Sequence, residues 1–285
     1  MPGVTLVVIS YEMARELPRT LHSLSPSYQG LAAGDYEIIV VDNASRVPPR
    51  EEDFAALNAD LKVLRCTRPT HSPVNAINEG LAQAKGGLIG IWIDGARMAS
   101  PGLVRAAMAA AALHPRPVVA TLNYQLGPEL QRISSAQGYD RAVEDRLLES
   151  IGWPMDGYRL FEIATPEMRG GPQAAMLESN GLFLPRALWD ELGGYDAAFH
   201  EPGGGVVNPD TLIRAVALPG AQLIRILGEG TFHQVHDGLS TSTQDRALAM
   251  LKEASKVYLR LRGKPLVPVR QRGWTYDSRS GEVAR

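Results

Sequence analysis

The chain has 285 residues, 45% of them hydrophobic and 21% charged, with a formal net charge of −2. That length and apolar content allow a sizeable core in one large or two small domains and exclude a globally disordered chain. The near-neutral charge gives no whole-protein case for nucleic-acid binding, and the single cysteine, Cys66, excludes an intramolecular disulfide and a cysteine-based zinc cluster.

Val4–Ser10 (VTLVVIS) is an apolar run and predicts a buried strand. The segment before it lacks a basic start, and the apolar run spans only about five residues, so it reads as strand one and not as a signal sequence. From Tyr11 to Leu24 the residues Met13, Leu17, Leu21 and Leu24 share one helical face. Tyr36–Val41 predicts a second buried strand, closed by Asp42 and Asn43; Phe54–Leu57 a short helical piece; Leu61–Leu64 a third strand. Val74–Ala84 reads as a helix, with Gly86-Gly87 at its C-terminal turn. Ile89–Asp94 is a fourth buried strand, again ending on an acid. Strands alternating with helices predict right-handed βαβ units and a mostly parallel sheet. Ser100-Pro101 then opens a helix to about Leu113, with Ser100 as N-cap.

The second half is less regular. Val118–Tyr124 predicts a strand, Arg132–Ile151 a helix, and 152–172 a long Gly/Pro-punctuated loop carrying Trp153, Tyr158 and Phe161. Those three aromatics either line a binding cleft or lid or pin the loop to the core. Glu178–Leu184 predicts a strand, Pro185–Leu192 a short helix stopped by Gly193-Gly194, and Glu201–Gly205 a flexible loop. Pro209–Ala217 reads as a helix with Asn208 as N-cap, Leu223–Leu227 as a strand, and Phe232–Gly238 as a polar turn with two histidines. Gln244–Leu261 is a helix with Leu248, Leu251 and Val257 toward the body, and the last twenty or so residues form a polar, Arg-rich surface tail. No window approaches the roughly 18 uninterrupted apolar residues of a membrane span, which predicts a soluble protein, and the single cysteine fits a reducing, cytoplasmic compartment.

No glycine fingerprint follows strand one, where the sequence is SYEMARELP, and there is no P-loop lysine and no G-x-S-x-G elbow. Nicotinamide enzymes, P-loop nucleotidases and serine hydrolases of that type are therefore disfavoured. What remains is a parallel sheet with Asp42 and Asp94 at the C-terminal ends of two strands, the edge where open α/β sheets bind ligands. An acid there holds a metal, a ribose or a proton, or else only caps a turn. Cys66 reads as a small buried hydrophobe.

Four segments, VVISYEMARELPRTLHSL, EIIVVDNAS, AINEGLAQAKGGLIGIWIDGA and GLFLPRALWDELGGYDAAF, stand in an order and spacing that resembles the nucleotide-sugar-dependent glycosyltransferases of family 2, over about residues 4–240. IDGARM and GEGTFHQVHDG resemble a bacterial subset found with surface-polysaccharide genes. The resemblance implies a Rossmann-type α/β/α sandwich of the type-A glycosyltransferase kind, with a mixed, mostly parallel sheet. The transferase domain would span 1–240, divided into a nucleotide-binding half (1–100) and an acceptor half (101–240), with a C-terminal helix and tail over 241–285. It implies transfer of a sugar from a nucleotide-diphosphate sugar, UDP first, to a glycan or lipid-linked acceptor, at the inner face of the membrane if peripheral contact is made; a homo-oligomer stays open.

The same resemblance gives roles to positions. Ser10, Tyr11, Asp42 and Asn43 would meet the nucleotide, with Asp42 on the uracil or ribose unless it only caps the turn before Ala44-Ser45. Asn75 and Asn78 would lie near a helix start beneath the nucleotide, where free N–H groups favour phosphate. Asp94 would be the first acid of the D-x-D metal motif, with Mn²⁺ or Mg²⁺ as cofactor. The chain departs from the pattern twice. Ala96 stands where the second acid belongs, so either His233 or His236 completes the metal site with Asp94, or Arg97 neutralises the diphosphate. Asn208 stands where the catalytic base belongs, and asparagine is no base; Asp210, Glu201 and Glu178 are the candidate substitutes. Asp210 alternatively stabilises its helix start. The departures leave open a relocated base, a retaining mechanism, a weak transferase, a non-catalytic nucleotide-sugar binder or scaffold, and a nucleotidyltransferase, the last disfavoured by the missing G-x-G-T-R-like loop.

Overall fold

The structure is a computed structural model that describes residues 3–168, 170–171, 173–236 and 244–285. Its strands are β1 (Val4–Ser10), β2 (Tyr36–Asp42), β3 (Asp60–Arg65), β4 (Leu88–Trp92), β5 (Arg97–Ala99), β6 (Pro117–Leu126), β7 (Ala164–Pro166), β8 (Leu182–Pro185), β9 (Gln222–His233), β10 (Trp274–Asp277) and β11 (Val283–Ala284). The helices are α1 (Glu16–Ser23), α2 (Pro26–Gln29), α3 (Val74–Gln83), α4 (Leu103–Ala111), α5 (Gln131–Ser134), α6 (Arg141–Ser150), α7 (Arg186–Leu192), α8 (Val207–Val216) and α9 (Gln244–Arg262).

The sheet runs in the order β11-β10-β9-β6-β8-β4-β1-β2-β3, with β5 on β9 and β7 on β6. β1 is parallel to both β2 and β4, with Val7 opposite Ile39 and Ile91. β8 is antiparallel to β4 and to β6, whereas β9 and β10 run parallel to β6. The start of β8 therefore lies on the same edge as the ends of β1, β2, β4, β6 and β9. This one reversal places residues from both halves of the chain at a common edge.

Alternation along the strands builds two cores. Val7, Ile9, Ile39 and Val41 face a layer that includes Ile77 of α3, Trp189 of α7, Leu212 of α8 and Tyr258 of α9. Leu6, Val8, Ile38 and Val40 face Leu17 and Leu21 of α1 and Leu103 and Ala107 of α4. Successive side chains point to opposite faces of a strand, so a run that is apolar at every position must be covered on both sides. Each fully buried Val, Leu or Ile contributes about 1.5–3 kcal/mol. Exposed ion pairs contribute about 0–1 kcal/mol each, so the two cores dominate the stability. The expected α/β/α sandwich with a mixed, mostly parallel sheet is the observed architecture.

The differences from the sequence reading have local causes. Gly86 does not form a helix-end turn; it lets the chain cross β1, where a Cβ would lie 2.5 Å from the Thr5 backbone nitrogen. Ser100 is not an N-cap: its hydroxyl donates to Glu229 Oε2 at 2.5 Å, and α4 begins only at Leu103 with no side-chain cap. The helix expected over 132–151 is broken at Gly138, which adopts φ 88°, and restarts behind Asp140, whose carboxylate accepts from the Val143 N–H. Asn208 lies inside α8 and does not cap it. Between residues 152 and 172 the chain forms a 3-10 turn over Gly157–Ile163 and then β7. The surface tail expected at the C-terminus instead adds β10 and β11 to the sheet edge. Leu248, Leu251 and Gly238 lie outside the described side chains or residues; Val257 packs on the first core as expected.

Candidate active site

β4 ends at Trp92, and Ile93 carries the chain over the sheet edge into a bend at Asp94. There Asp94 Oδ1 accepts from the Ala96 N–H at 3.0 Å and Oδ2 from Arg97 Nε at 3.2 Å. Arg97 opens β5, which pairs antiparallel with the end of β9 so that Arg97 stands opposite His233. Directly opposed residues present their side chains on the same face. Two residues beyond the ladder, Val235 N–H donates to Glu144 at 2.6 Å, and the chain turns so that His236 Nε2 comes within 3.2 Å of His233 Nε2. One ligand atom each from Asp94, His233 and His236 lies within 4.8 Å of the others. Ala96 is fully buried in the second core, on the helix-α1 side, so the position of a second acid is closed to the site.

The electrostatics suit a cation. Burial alone would raise the Asp94 pKa, but Arg97, His233 and His236 outweigh it, and the carboxyl sits below its ordinary range. Burial pushes His233 well below the usual imidazole range, with Arg97 adding to the effect, and burial lowers His236 as well. Neutral imidazoles are the ligating form. One carboxylate and two imidazole nitrogens, with two of the nitrogens 3.2 Å apart, form a donor set fitting Mn²⁺ better than Mg²⁺.

A second cluster lies against the first. Asn208 Nδ2 donates to Glu178 Oε2 at 3.0 Å, and Asn208 Oδ1 accepts from the Tyr195 hydroxyl at 3.0 Å. Asn208 thus supports a carboxylate supplied by the segment before β8. Burial and then the Glu167 carboxylate push the Glu178 pKa up, against Arg97 and the Asn208 hydrogen bond. Glu167, just past β7, accepts from Gln125 Nε2 at 3.0 Å and lies 3.6 Å from Arg97. Arg97 is held charged in this setting: burial disfavours its charge, but Asp94, Glu167 and Glu178 outweigh that.

Other expected residues are committed elsewhere. Asp210 is fully buried and takes Arg214 Nε at 2.7 Å and Arg262 Nε at 2.6 Å, so it locks α8 to α9 and is not a free base. Glu201 precedes a turn docked on the loop after β3 through Gly203 N–H and His71 O, and no hydrogen bond joins it to Asp94, Glu178 or Asn208 among the described residues. Asn78 uses both ends of its amide on the Tyr195 backbone, at 2.9 Å each, and Asn75 donates to Arg68 O at 2.8 Å. Both amides hold protein backbone.

At the nucleotide side, Ser10 pairs with Asp42 in the β1–β2 register and Tyr11 is exposed just beyond. Asp42 caps its turn, both oxygens accepting from the Ser45 N–H at 3.3 and 3.1 Å, while also bordering a cavity of about 450 Å³ with Val63, Arg50 and Arg65. Asn43 donates to Thr70 O at 2.8 Å. The aromatic loop is pinned: Trp153 packs on His22 and donates to the Tyr28 hydroxyl, Phe161 sits between Tyr124 and Phe232, and the Tyr158 hydroxyl donates to Glu229. Cys66 is buried, as expected of a small hydrophobe.

Sequence reasoning missed Glu167, Gln125, Gln131 and Tyr195. Glu167 lies in a Pro- and Gly-rich stretch without periodicity. The glutamines end a strand or start a short helix, where nothing in the local pattern marks them.

No curated protein matches the chain. Among solved structures it is similar to TarS of S. aureus, with TM-score 0.53 and 13% identity over 91% of this chain and 40% of that one. It is similar to TarS 1–349 in complex with UDP-GlcNAc, with TM-score 0.55 and 14% identity over 91% of this chain and 67% of that one. The mannosyltransferase PcManGT from Pyrobaculum calidifontis, in complex with GDP-Man and Mn²⁺, aligns with TM-score 0.55 and 17% identity over 93% of this chain and 66% of that one. The chain thus spans less than half of full TarS and about two thirds of the other two, and at these identities the likeness establishes the type-A glycosyltransferase fold. The sequence itself matches the family model of Glycosyl transferase family 2 over residues 5–163, more than half its length and including Asp42 and Asp94, and on that ground the chain belongs to Glycosyl transferase family 2.

Proposed function

We propose that the chain moves a sugar from a nucleoside-diphosphate sugar, a UDP-sugar first, onto a hydroxyl of a glycan or lipid-linked acceptor in bacterial surface-polysaccharide assembly. The observation that carries this reading is the convergence of Asp94, His233 and His236 on the sheet edge that also holds the Glu178 carboxylate. The cytoplasmic side is proposed as the compartment, in keeping with one buried, unpaired cysteine.

In this mechanism the cavity beside Asp42 takes the nucleoside. Asp94, His233 and His236 would hold Mn²⁺, which would supply positive charge for a diphosphate leaving group. Arg97, fixed by Asp94 and Glu167, adds a preorganised positive charge at the same place. A cavity of about 570 Å³ lined by Leu122, Asn123, Tyr124, Leu130 and Met168 flanks Glu167 and suits the acceptor. Glu178 takes the proton of the attacking hydroxyl. Its raised pKa strengthens it as a base, and Asn208 and Tyr195 hold it in place. Direct displacement with Glu178 as base inverts the anomeric configuration.

A non-catalytic binder is the second reading, favoured by Asn208 and Ala96 standing where the family pattern has acids. Release of nucleoside diphosphate from UDP-, GDP- and dTDP-sugars separates the two. The transferase releases product from one donor class with Mn²⁺ and stops with EDTA. Tight nucleotide binding with no release from any donor, with or without acceptor glycans, would leave the binder.

A further inference from the structure

We infer that Gln131 is a positioning residue of the metal site: it fixes the tautomer of His233 that presents Nε2 as a ligand, and it links that ligand through Gln125 to the Glu167 carboxylate. The inference rests on the metal reading above and deepens it.

Gln131 is 1% exposed, at the start of α5. Its side-chain Nε2 donates to the His233 carbonyl at 2.9 Å, with the Leu126 carbonyl at 3.5 Å on the same side. Carbonyl oxygens only accept, so the NH₂ group must face them and Oε1 must point the other way. Oε1 lies 2.8 Å from His233 Nδ1. An amide oxygen also only accepts, so His233 Nδ1 carries the proton. A neutral imidazole protonated on Nδ1 keeps its lone pair on Nε2. That is the atom 3.2 Å from His236 Nε2, in the group with Asp94. One amide thus grips both the backbone and the ring of His233.

The same residue reaches the other cluster. Gln131 N–H donates to Gln125 Oε1 at 2.6 Å, and Gln125 Nε2 donates to Glu167 Oε1 at 3.0 Å. Glu167 Oε1 lies 3.6 Å from Arg97 Nη1, and Arg97 Nε donates to Asp94 at 3.2 Å. The path from His233 through Gln131, Gln125, Glu167 and Arg97 ends on Asp94, a fellow member of the candidate donor set. Contacts of this kind orient metal-bound histidines, and losing one typically weakens metal affinity about 10–100-fold.

The test uses the full chain, Mn²⁺ alone as probe, and the variants Q131M and Q131E. Glutamate keeps the acceptor for Nδ1–H; methionine keeps the volume and removes it. The expected result is Mn²⁺ affinity about 10–100-fold weaker in Q131M and within a few-fold of wild type in Q131E. Metal-free nitrogen NMR of His233 is expected to report a proton on Nδ1 in wild type and its loss as the dominant form in Q131M. Q131M that melts normally and binds Mn²⁺ as tightly as wild type would overturn the inference, as would a wild-type His233 protonated on Nε2. If Q131M does not fold, the wild-type tautomer decides alone. Wild-type protein that binds no Mn²⁺ contradicts the metal reading, whereas the metal-free tautomer still tests Gln131 separately.

Discussion

The two halves of the sheet build their parts of the site differently. In β2 and β4 the acids sit at strand ends, and the strand itself delivers them: six buried residues then Asp42, five then Ile93 and Asp94. In the half around β6, β8 and β9 the important groups arrive on bends and short pairings. Glu178 precedes β8, Glu167 follows β7, and His236 lies beyond the end of β9. The half around β1, β2 and β4 is a regular scaffold with residues at fixed positions. The second half is a set of polar contacts between distant segments, as where Asn208 donates to Glu178.

Breaking the proposed base gives the largest expected effect. E178Q should lower transfer by about 10²–10⁴-fold with nucleotide binding retained; unchanged turnover would return the base to another group. The same comparison sharpens with E178Q/N208D, which puts a carboxylate at the family position and should recover part of the lost rate. A double variant no better than E178Q would show that position 208 does not face the acceptor.

Stability predictions follow at smaller size. Burial pushes Glu144 up to about 7, against the Val235 N–H and Arg15, which favour its charge. A carboxyl with a raised folded pKa stabilises at low pH, and that contribution is lost as pH rises from the unfolded value of about 4.5 through 7. The stability of E144Q relative to wild type should therefore rise with pH across that window, read from urea midpoints of the two proteins side by side. A flat difference would mean Glu144 titrates normally. D210N should cost about 2–3 kcal/mol. That is below the roughly 3–5 kcal/mol of a wholly buried pair, because Arg214 and Arg262 keep 23% and 21% of their side chains open. Transfer by D210N should stay within a few-fold of wild type, which separates a lock between α8 and α9 from a base.

Legibility followed the same divide. An all-apolar run closed by an acid was readable without any partner, so β1, β2, β4, Asp42 and Asp94 came out of the sequence directly. The pair His233 and His236 was readable as a donor set only beside Asp94, through the family resemblance. Which of the three candidate acids lies beside Arg97 and Asn208 was not readable, because Asp210, Glu201 and Glu178 differ only in what folds against them. Two arginines claim Asp210; Asn208 and Glu167 meet Glu178. Likewise nothing local distinguishes Ser100 as a partner of Glu229 from an N-cap, since that carboxylate comes from a strand far along the chain.

The most direct test of the central claim is calorimetric titration of the purified chain with UDP, GDP and dTDP, each in Mn²⁺ and in EDTA. The account predicts binding of one nucleotide that requires Mn²⁺ and is lost in D94A and in H236A. Binding that is equally tight in EDTA and unaffected by H236A would contradict a metal site built from Asp94, His233 and His236.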